Sequence, residues 1–229
     1  MKHVLFTTLM LLCYSVTASA KTPVTIFWYD EKESGTAPSH MRYLVGDQFI
    51  RIDEGGKGDN YVLFDAAKKK IYSVNHYDRT LMVIEHEDWQ APEFEFKHEV
   101  SEKAMHDAPQ VAGKTVHHYR VRGDRKICTD VQYVPGLFPQ RMAIFQQYQQ
   151  VLSGQLVRSL NNTPKEMHTP CFLADQVYNG GEYYARGLPI QVWHSRGYAR
   201  LLTNYEDAEV DDDLFQLPLN YSEYHPYSE

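Results

Sequence analysis

The stretch VLFDAAKKKIYSVNHYDRTLMVI, from Val62 to Ile84, constrains the fold more than any other part of this chain. With Tyr61 it contains three apolar runs, at 61–64, 71–75 and 80–85, separated by two polar turns. The turns open on Asp65 and Asn75, whose side-chain oxygens can accept from backbone N–H groups just downstream. Connections this short force neighbouring strands to run antiparallel, so the stretch is a meander. Side chains alternate between the faces of a strand. Tyr61 and Leu63 therefore oppose Val62 and Phe64, and Leu81 and Val83 oppose Met82 and Ile84, while Tyr72 and Val74 share one side. A sheet with one wet face would be polar at every second position, and this one is not. Both faces need a cover, and the second is closed either by a filled core or by the wall of a cavity.

The remaining segments extend the same theme. Residues 24–29 are rich in β-branched and aromatic side chains, and 41–53 alternate around a Gly46-Asp47 turn. Residues 94–100 predict an edge strand, and 111–121 with 126–133 predict a hairpin turning at 122–124. The pattern changes at Pro139. In PQRMAIFQQYQQVL the residues Met142, Phe145, Tyr148 and Leu152 recur at three- and four-residue spacing, with Pro placed where a first helical turn tolerates it. Gly154 is expected to bend or end this helix, with 156–160 as its continuation where it only bends. Two further strands, 188–195 and 198–204, turn at Arg196-Gly197, and 214–217 are expected to close the fold as a strand. Many antiparallel strands, a helical insert and strands again indicate a single α+β domain over residues 21–229.

The N-terminus explains where such a chain would work. Lys2, the apolar run 4–16 and the small-residue pattern Ala18-Ser19-Ala20 form a secretory signal, with cleavage expected after Ala20. Bulky Leu12 before Cys13 argues against a lipoprotein signal, so Cys13 leaves with the leader. No later segment has the ~20 apolar residues of a transmembrane helix. Without Lys2 the chain has 22 basic against 30 acidic residues, about −8, which disfavours nucleic acid and anionic membrane surfaces as partners. The expected location is the periplasm or the secreted fraction. In that oxidising setting the two remaining cysteines, Cys128 and Cys171, are expected to form a disulfide.

Four stretches carry a resemblance. These are the strand GDQFIRID with its Gly-rich loop, the meander extended to Glu85, the hairpin VAGKTVHHYRVRGDRKICTDVQYVPGL and the closing DDDLFQLPLNY. Together they resemble an exported bacterial family of unassigned function that is similar in architecture to the periplasmic lipoprotein carriers of the LolA/LolB type. The resemblance covers most of the chain after residue 20. It implies a strongly curved, mostly antiparallel β-sheet, a half-barrel, with a helical insert covering its concave face and an apolar cavity between them. It also implies a lipid, an acyl chain or a lipoprotein as the bound partner.

Catalytic signatures are absent: the chain has no G-x-S-x-G, Walker loop, G-x-G-x-x-G or H-E-x-x-H. His117 and His118 are adjacent on a strand and point to opposite faces, and His76, His86, His98 and His106 are scattered, so no metal site is expected. The acidic run from Asp207 to Asp213 lacks the ligand plan of an EF-hand. Asp53-Glu54 and Glu85 to Asp88 hold carboxylates without a defined separation, and Trp89, Trp193 and YNGGEYY (Tyr178 to Tyr184) can either stack on sugars or pack a sheet rim. The reading is therefore a non-enzymatic periplasmic protein without a cofactor, binding an apolar ligand in a sheet–helix cavity. Leu63, Tyr72, Val74, Met82, Ile84, Phe145, Tyr148 and Leu152 are expected to line it. The competing reading is a structural or interaction module of a cell-envelope complex with protein partners and a filled core. An unrecognised envelope enzyme is the third.

Overall fold

The computed structural model describes residues 20–226 apart from 57 and 94, so the expected signal segment with Cys13 lies outside the described residues, Ala20 excepted. Twelve strands form one sheet: β1 (Lys21–Lys32), β2 (Ser39–Val45), β3 (Phe49–Asp53), β4 (Tyr61–Asp65), β5 (Lys70–Asn75), β6 (Thr80–Glu85), β7 (His98–Ala104), β8 (His117–Gly123), β9 (Lys126–Pro135), β10 (Gly187–His194), β11 (Ala199–Asp211) and β12 (Ser222–Tyr224). Two α-helices join them, α1 (Pro139–Ser159) and the single turn α2 (Pro170–Leu173). The strand order is β12-β6-β5-β4-β3-β2-β1-β11-β10-β9-β8-β7, an open α+β arrangement with edges at β12 and β7. Every pairing is antiparallel except that of β12 with β6.

The meander forms as its turn residues dictate. Asp65 Oδ1 accepts from the Lys68 amide at 3.0 Å, and Asn75 Oδ1 accepts from the Asp78 amide at 3.0 Å. Register then decides which side chains share a face. Leu63 lies opposite Tyr72, which lies opposite Val83, whereas Phe64, Ile71 and Ile84 align on the other side. Both faces are buried, by different means.

On the first face α1 packs against strands on both sides of the sheet's centre, touching β3, β5 and β6 as well as β10. Phe27, Tyr29, Phe64, Ile71, Ile84, Val131, Tyr133, Met142 and Phe145 belong to this core. The helix does not stop at Gly154. A Cβ there would meet Trp89 Cδ1 at 2.7 Å, so the glycine is the groove in which the Trp89 ring lies, and the indole Nε1 donates to the Gln150 carbonyl at 3.3 Å.

The second face is covered by the chain that follows β11. Leu63, Tyr72, Val74, Tyr61, Leu81 and Val83 form a core with Phe49, Phe215, Leu217 and Tyr221. Phe49 and Phe215 stack with centroids 5.4 Å apart. The expected strand at 214–217 is instead a 3-10 turn, Asp212–Phe215, that lays its apolar side chains across the sheet. An ionic cluster fastens it. Asp53, 1% exposed, accepts from Arg42 at 2.9 and 3.1 Å and from Arg51 Nε at 2.7 Å. Arg51 Nη1 then donates to the Leu214 carbonyl at 2.8 Å, and its guanidinium lies 3.7 Å from the Tyr61 ring centroid. Tyr61 Oη donates to the Gln216 carbonyl at 3.1 Å, and His76 Nδ1 and Tyr221 Oη are 2.7 Å apart.

Three other expectations differ from the structure. Pairing in the 111–121 strand begins only at His117, because the chain turns at Ala112 and Gly113 and leaves Val111 and Lys114 as an isolated bridge. β11 runs on to Asp211 because it pairs along the whole of β1. The acidic run up to Asp211 is thereby drawn out along a strand, where Asp207 accepts from Thr25 at 2.7 Å and Asp211 pairs with Lys21 at 2.6 Å, and just past its end Asp212 accepts from Thr22 at 2.6 Å. Finally, β12 is an unexpected strand, seated by the Ser222 amide donating to the Arg79 carbonyl at 2.9 Å.

The disulfide joins Cys128 on β9 to Cys171 on α2, with Cα atoms 4.8 Å apart. Its loop of roughly 44 residues gives about 4 kcal/mol in the chain-entropy account, so the Cys128→Ser/Cys171→Ser double variant should unfold at denaturant concentrations lower by that amount of stability. Arg51→Ala should cost roughly 3 kcal/mol, since Asp53 keeps only Arg42 and the Leu214 carbonyl loses its donor. Limited proteolysis should then nick the variant after β11 well before the rest of the chain; equal resistance to the parent protein would refute the clamp.

Candidate functional site

A cavity of about 590 Å³ lies between α1 and the first face of the sheet. The helix supplies Phe145, Tyr148, Gln149 and Leu152, and β2 and β3 supply Tyr43 and Ile52. The β10–β11 hairpin supplies His194, Arg196, Tyr198 and Arg200, and the segment after α2 supplies Asp175, Gln176, Tyr183 and Tyr184. Exposed Glu33, Ser34 and Arg196 stand at its rim.

The wall after α2 is held on both sides. The disulfide ties its start to β9, and the Gly-Gly of YNGGEYY brings it against the helix. Gly181 has φ 73°, and a Cβ there would meet Gln149 Cβ at 2.6 Å; Ser153 Oγ donates to the Gln176 carbonyl at 2.7 Å close by. This close approach lets Tyr184 stack on Phe145 with centroids 4.9 Å apart and planes within 4°. Tyr183 leans on Tyr184 at 4.6 Å.

Two polar constellations face the cavity. Arg200, 7% exposed, holds its guanidinium carbon 4.6 Å from the Tyr29 ring centroid and 5.8 Å from those of Tyr43 and Tyr184. Its Nη2 donates to Tyr184 Oη at 2.6 Å, and its Nε is buried without an acceptor, as is the Tyr29 hydroxyl. Glu31 stands directly opposite Arg200 in the β1–β11 register, but its carboxylate accepts from Tyr43 Oη at 2.5 Å and from Tyr198. The second constellation is Asp175 and His194. Asp175 Oδ2 lies 3.1 Å from His194 Nδ1, which is also 3.1 Å from Thr129 Oγ1, and Asp175 Oδ1 is buried without a partner.

The expected lining residues divide between the faces. Phe145, Tyr148 and Leu152 line the cavity. Met82 and Ile84 are on the same side of the sheet, in the core under the helix. Leu63, Tyr72 and Val74 are not: they lie on the opposite face, beneath Phe215, Leu217 and Tyr221. The physical reason is the period of two, since residues opposite one another in register share a face, and Leu63, Tyr72 and Val83 form such a row. The cavity is also more polar than expected. Arg200, Asp175 and His194 carry no motif; Arg200 was detectable only as a charge at an inward-facing position between Tyr198 and Leu202. Trp89 rests on α1, and Trp193 is 41% exposed on the far face from the cavity. Among the described residues no three His, Cys, Asp or Glu side chains are placed to hold a metal ion.

No family model and no curated protein matches the chain. Two solved structures of PNGF-II, in the C2 and P21 space groups, are similar to it at TM-scores of 0.42 and 0.44 with 9% identity each. They cover 90% of this chain and 31% and 32% of their own, so the chain spans about a third of the length of those it matches.

The phenols around the cavity have a shared electrostatic signature. Burial pushes Tyr29, Tyr43, Tyr148, Tyr183 and Tyr198 above the ordinary phenol value of 10.0, because the phenolate would be stranded away from water. A group whose folded value is raised stabilises fully below its unfolded value and loses that contribution as pH rises beyond it. Stability should accordingly fall from about pH 10 upward, the unfolded phenol value. In an absorbance titration at 295 nm these five rings should ionise together with unfolding rather than before it. Full ionisation near pH 10 with the far-ultraviolet circular dichroism intact would contradict this burial.

Proposed function

We propose that the chain is a binding protein, not an enzyme, that seats a small amphipathic ligand such as an acyl chain or a lipid between α1 and the sheet. The cavity of about 590 Å³ carries this reading, being within the range of roughly 300–1,000 Å³ typical of ligand sites. Phe145, Leu152 and Ile52 offer an apolar wall, the tyrosines offer flat amphipathic surfaces, and the charged groups gather toward the β10–β11 hairpin. In this reading the sheet serves as a half-barrel of the lipoprotein-carrier kind, and the contacts of α1 with β3, β5 and β6 on one side and β10 on the other support it. A periplasmic or secreted setting is in keeping with the Cys128–Cys171 disulfide, and among the described residues no helix is long and apolar enough to cross a membrane.

The Asp175–His194 pair favours one second reading, an enzyme in which a buried carboxylate orients an imidazole that acts as base. A fluorescent acyl probe separates the two. The binding reading expects saturable, micromolar uptake of the probe unchanged over hours. Leu152→Glu, which puts a charge on the apolar wall, should weaken uptake at least about tenfold. Native mass spectrometry of protein purified without detergent should show a non-covalent lipid adduct. Absence of saturable uptake would overturn the proposal, and turnover of an acyl ester that depends on Asp175 would establish the enzyme instead.

A further inference from the structure

Resting on the reading that the cavity binds an amphipathic ligand, we infer that Arg200 anchors a single carboxylate at the head of that ligand. The first reason is that Arg200 is a buried cation without a counter-ion. Among the described residues no carboxylate forms an ion pair with it, although Glu31 stands opposite in register. That neighbour is committed to Tyr43 and Tyr198. A charge held out of water needs either a partner or a ligand, and the faces of Tyr29, Tyr43 and Tyr184 supply only part of that compensation.

The second reason is the direction of the free donors. A guanidinium has five N–H donors. Nη2 is bonded to Tyr184, Nε is shut away in the aromatic box without an acceptor, and Nη1 bonds to no described residue. Arg200 itself lines the cavity, and Nη1 is its one nitrogen that is neither bonded to a described residue nor among the buried atoms without a partner, which leaves it for a ligand there. Tyr148 also lines the cavity, and burial keeps its phenol protonated well past neutrality, so the wall holds a further hydroxyl donor.

The third reason is charge balance, which selects the anion. Glu33 and Asp175 share the lining with Arg196 and Arg200, and Arg196 is exposed at the rim. One unpaired buried guanidinium, in a lining that also holds the Asp175 carboxylate bound to His194, suits a monoanion that Arg200 can hold by paired, charge-assisted hydrogen bonds. A phosphate monoester, with close to two negative charges, would meet the Asp175 carboxylate with too little positive charge to offset it.

Calorimetric titration of the full chain with decanoate, methyl decanoate and decyl phosphate tests this at pH 7.5. Decanoate should bind at least about tenfold more tightly than the methyl ester, the step expected for hydrogen bonds to a charged group, and more tightly than decyl phosphate. Arg200→Gln should bring the acid and the ester within about threefold of each other. The comparison of acid with ester on the unsubstituted protein stands even if that variant does not fold. Equal binding of acid and ester would overturn the role of Arg200 and leave the cavity reading intact. Tighter binding of decyl phosphate would overturn the choice of carboxylate. No binding of any of the three would overturn the cavity reading and the inference together.

Discussion

Arg51 lies between the Asp53 carboxylate and the Leu214 carbonyl, and the covering of the second sheet face depends on it. The sheet is apolar on both sides, and a helix can cover only one of them. The opposite face is closed by a segment too short and irregular to bring a core of its own, so its few apolar side chains must be held in register by polar bonds. Asp53 is almost fully buried yet receives two guanidinium groups, and Arg51 also covers the Tyr61 ring. Each charge is met by a partner in fixed geometry, which is the condition under which buried ions are tolerated. The contacts of Tyr61 with Gln216 and of His76 with Tyr221 extend the same fastening to the end of the segment.

The first face has a different construction. A 21-residue helix covers strands from both sides of β1, and the space it cannot fill is walled by the segment after α2. That wall is built of two short helical turns, a π-turn at Ala174–Tyr178 and a 3-10 turn at Glu182–Ala185, and three constraints make it firm. They are the disulfide to β9, the contact of Gly181 with α1, and the stack of Tyr184 on Phe145. A wall built in this way can carry polar side chains such as Asp175 inward without collapsing onto the helix. A uniformly apolar segment would close the space instead.

Much of this was legible before any coordinates. The meander turns at Asp65 and Asn75, the Gly46-Asp47 hairpin, the helix from Pro139 and the Cys128–Cys171 bridge rest on local chemistry, and local chemistry is what a sequence displays. The errors come from non-local effects. Gly154 looks like a helix end because the Trp89 ring that needs its missing Cβ is 65 positions away. The 214–217 run looks like a strand because its apolar residues face a sheet, but it crosses that sheet rather than joining it. Leu63, Tyr72 and Val74 look like Met82 and Ile84 in the sequence since all are apolar, and only the register between strands assigns them to opposite faces. The site was the least legible part. Arg200, Asp175 and His194 come from separate elements, and a cavity between elements leaves no spacing in the sequence.

Arg51 and Arg200 are the same side chain in two buried settings, one with its charge matched and one without. Both are buried, both lie on strands and both lie against tyrosine rings. Arg51 gives Nε to Asp53 and Nη1 to a backbone carbonyl and lies over the Tyr61 ring, so its charge is matched within the fold and its removal loosens it. Arg200 has one hydroxyl acceptor and no carboxylate, and the acid opposite it is engaged by two phenols. Exchanging those phenols for apolar rings would free Glu31 to pair with Arg200 across the strands and would satisfy both charges. The tyrosines thus do more than pack the cavity: by occupying Glu31 they keep a buried cation unpaired at its wall, which is the condition the proposed anion site rests on.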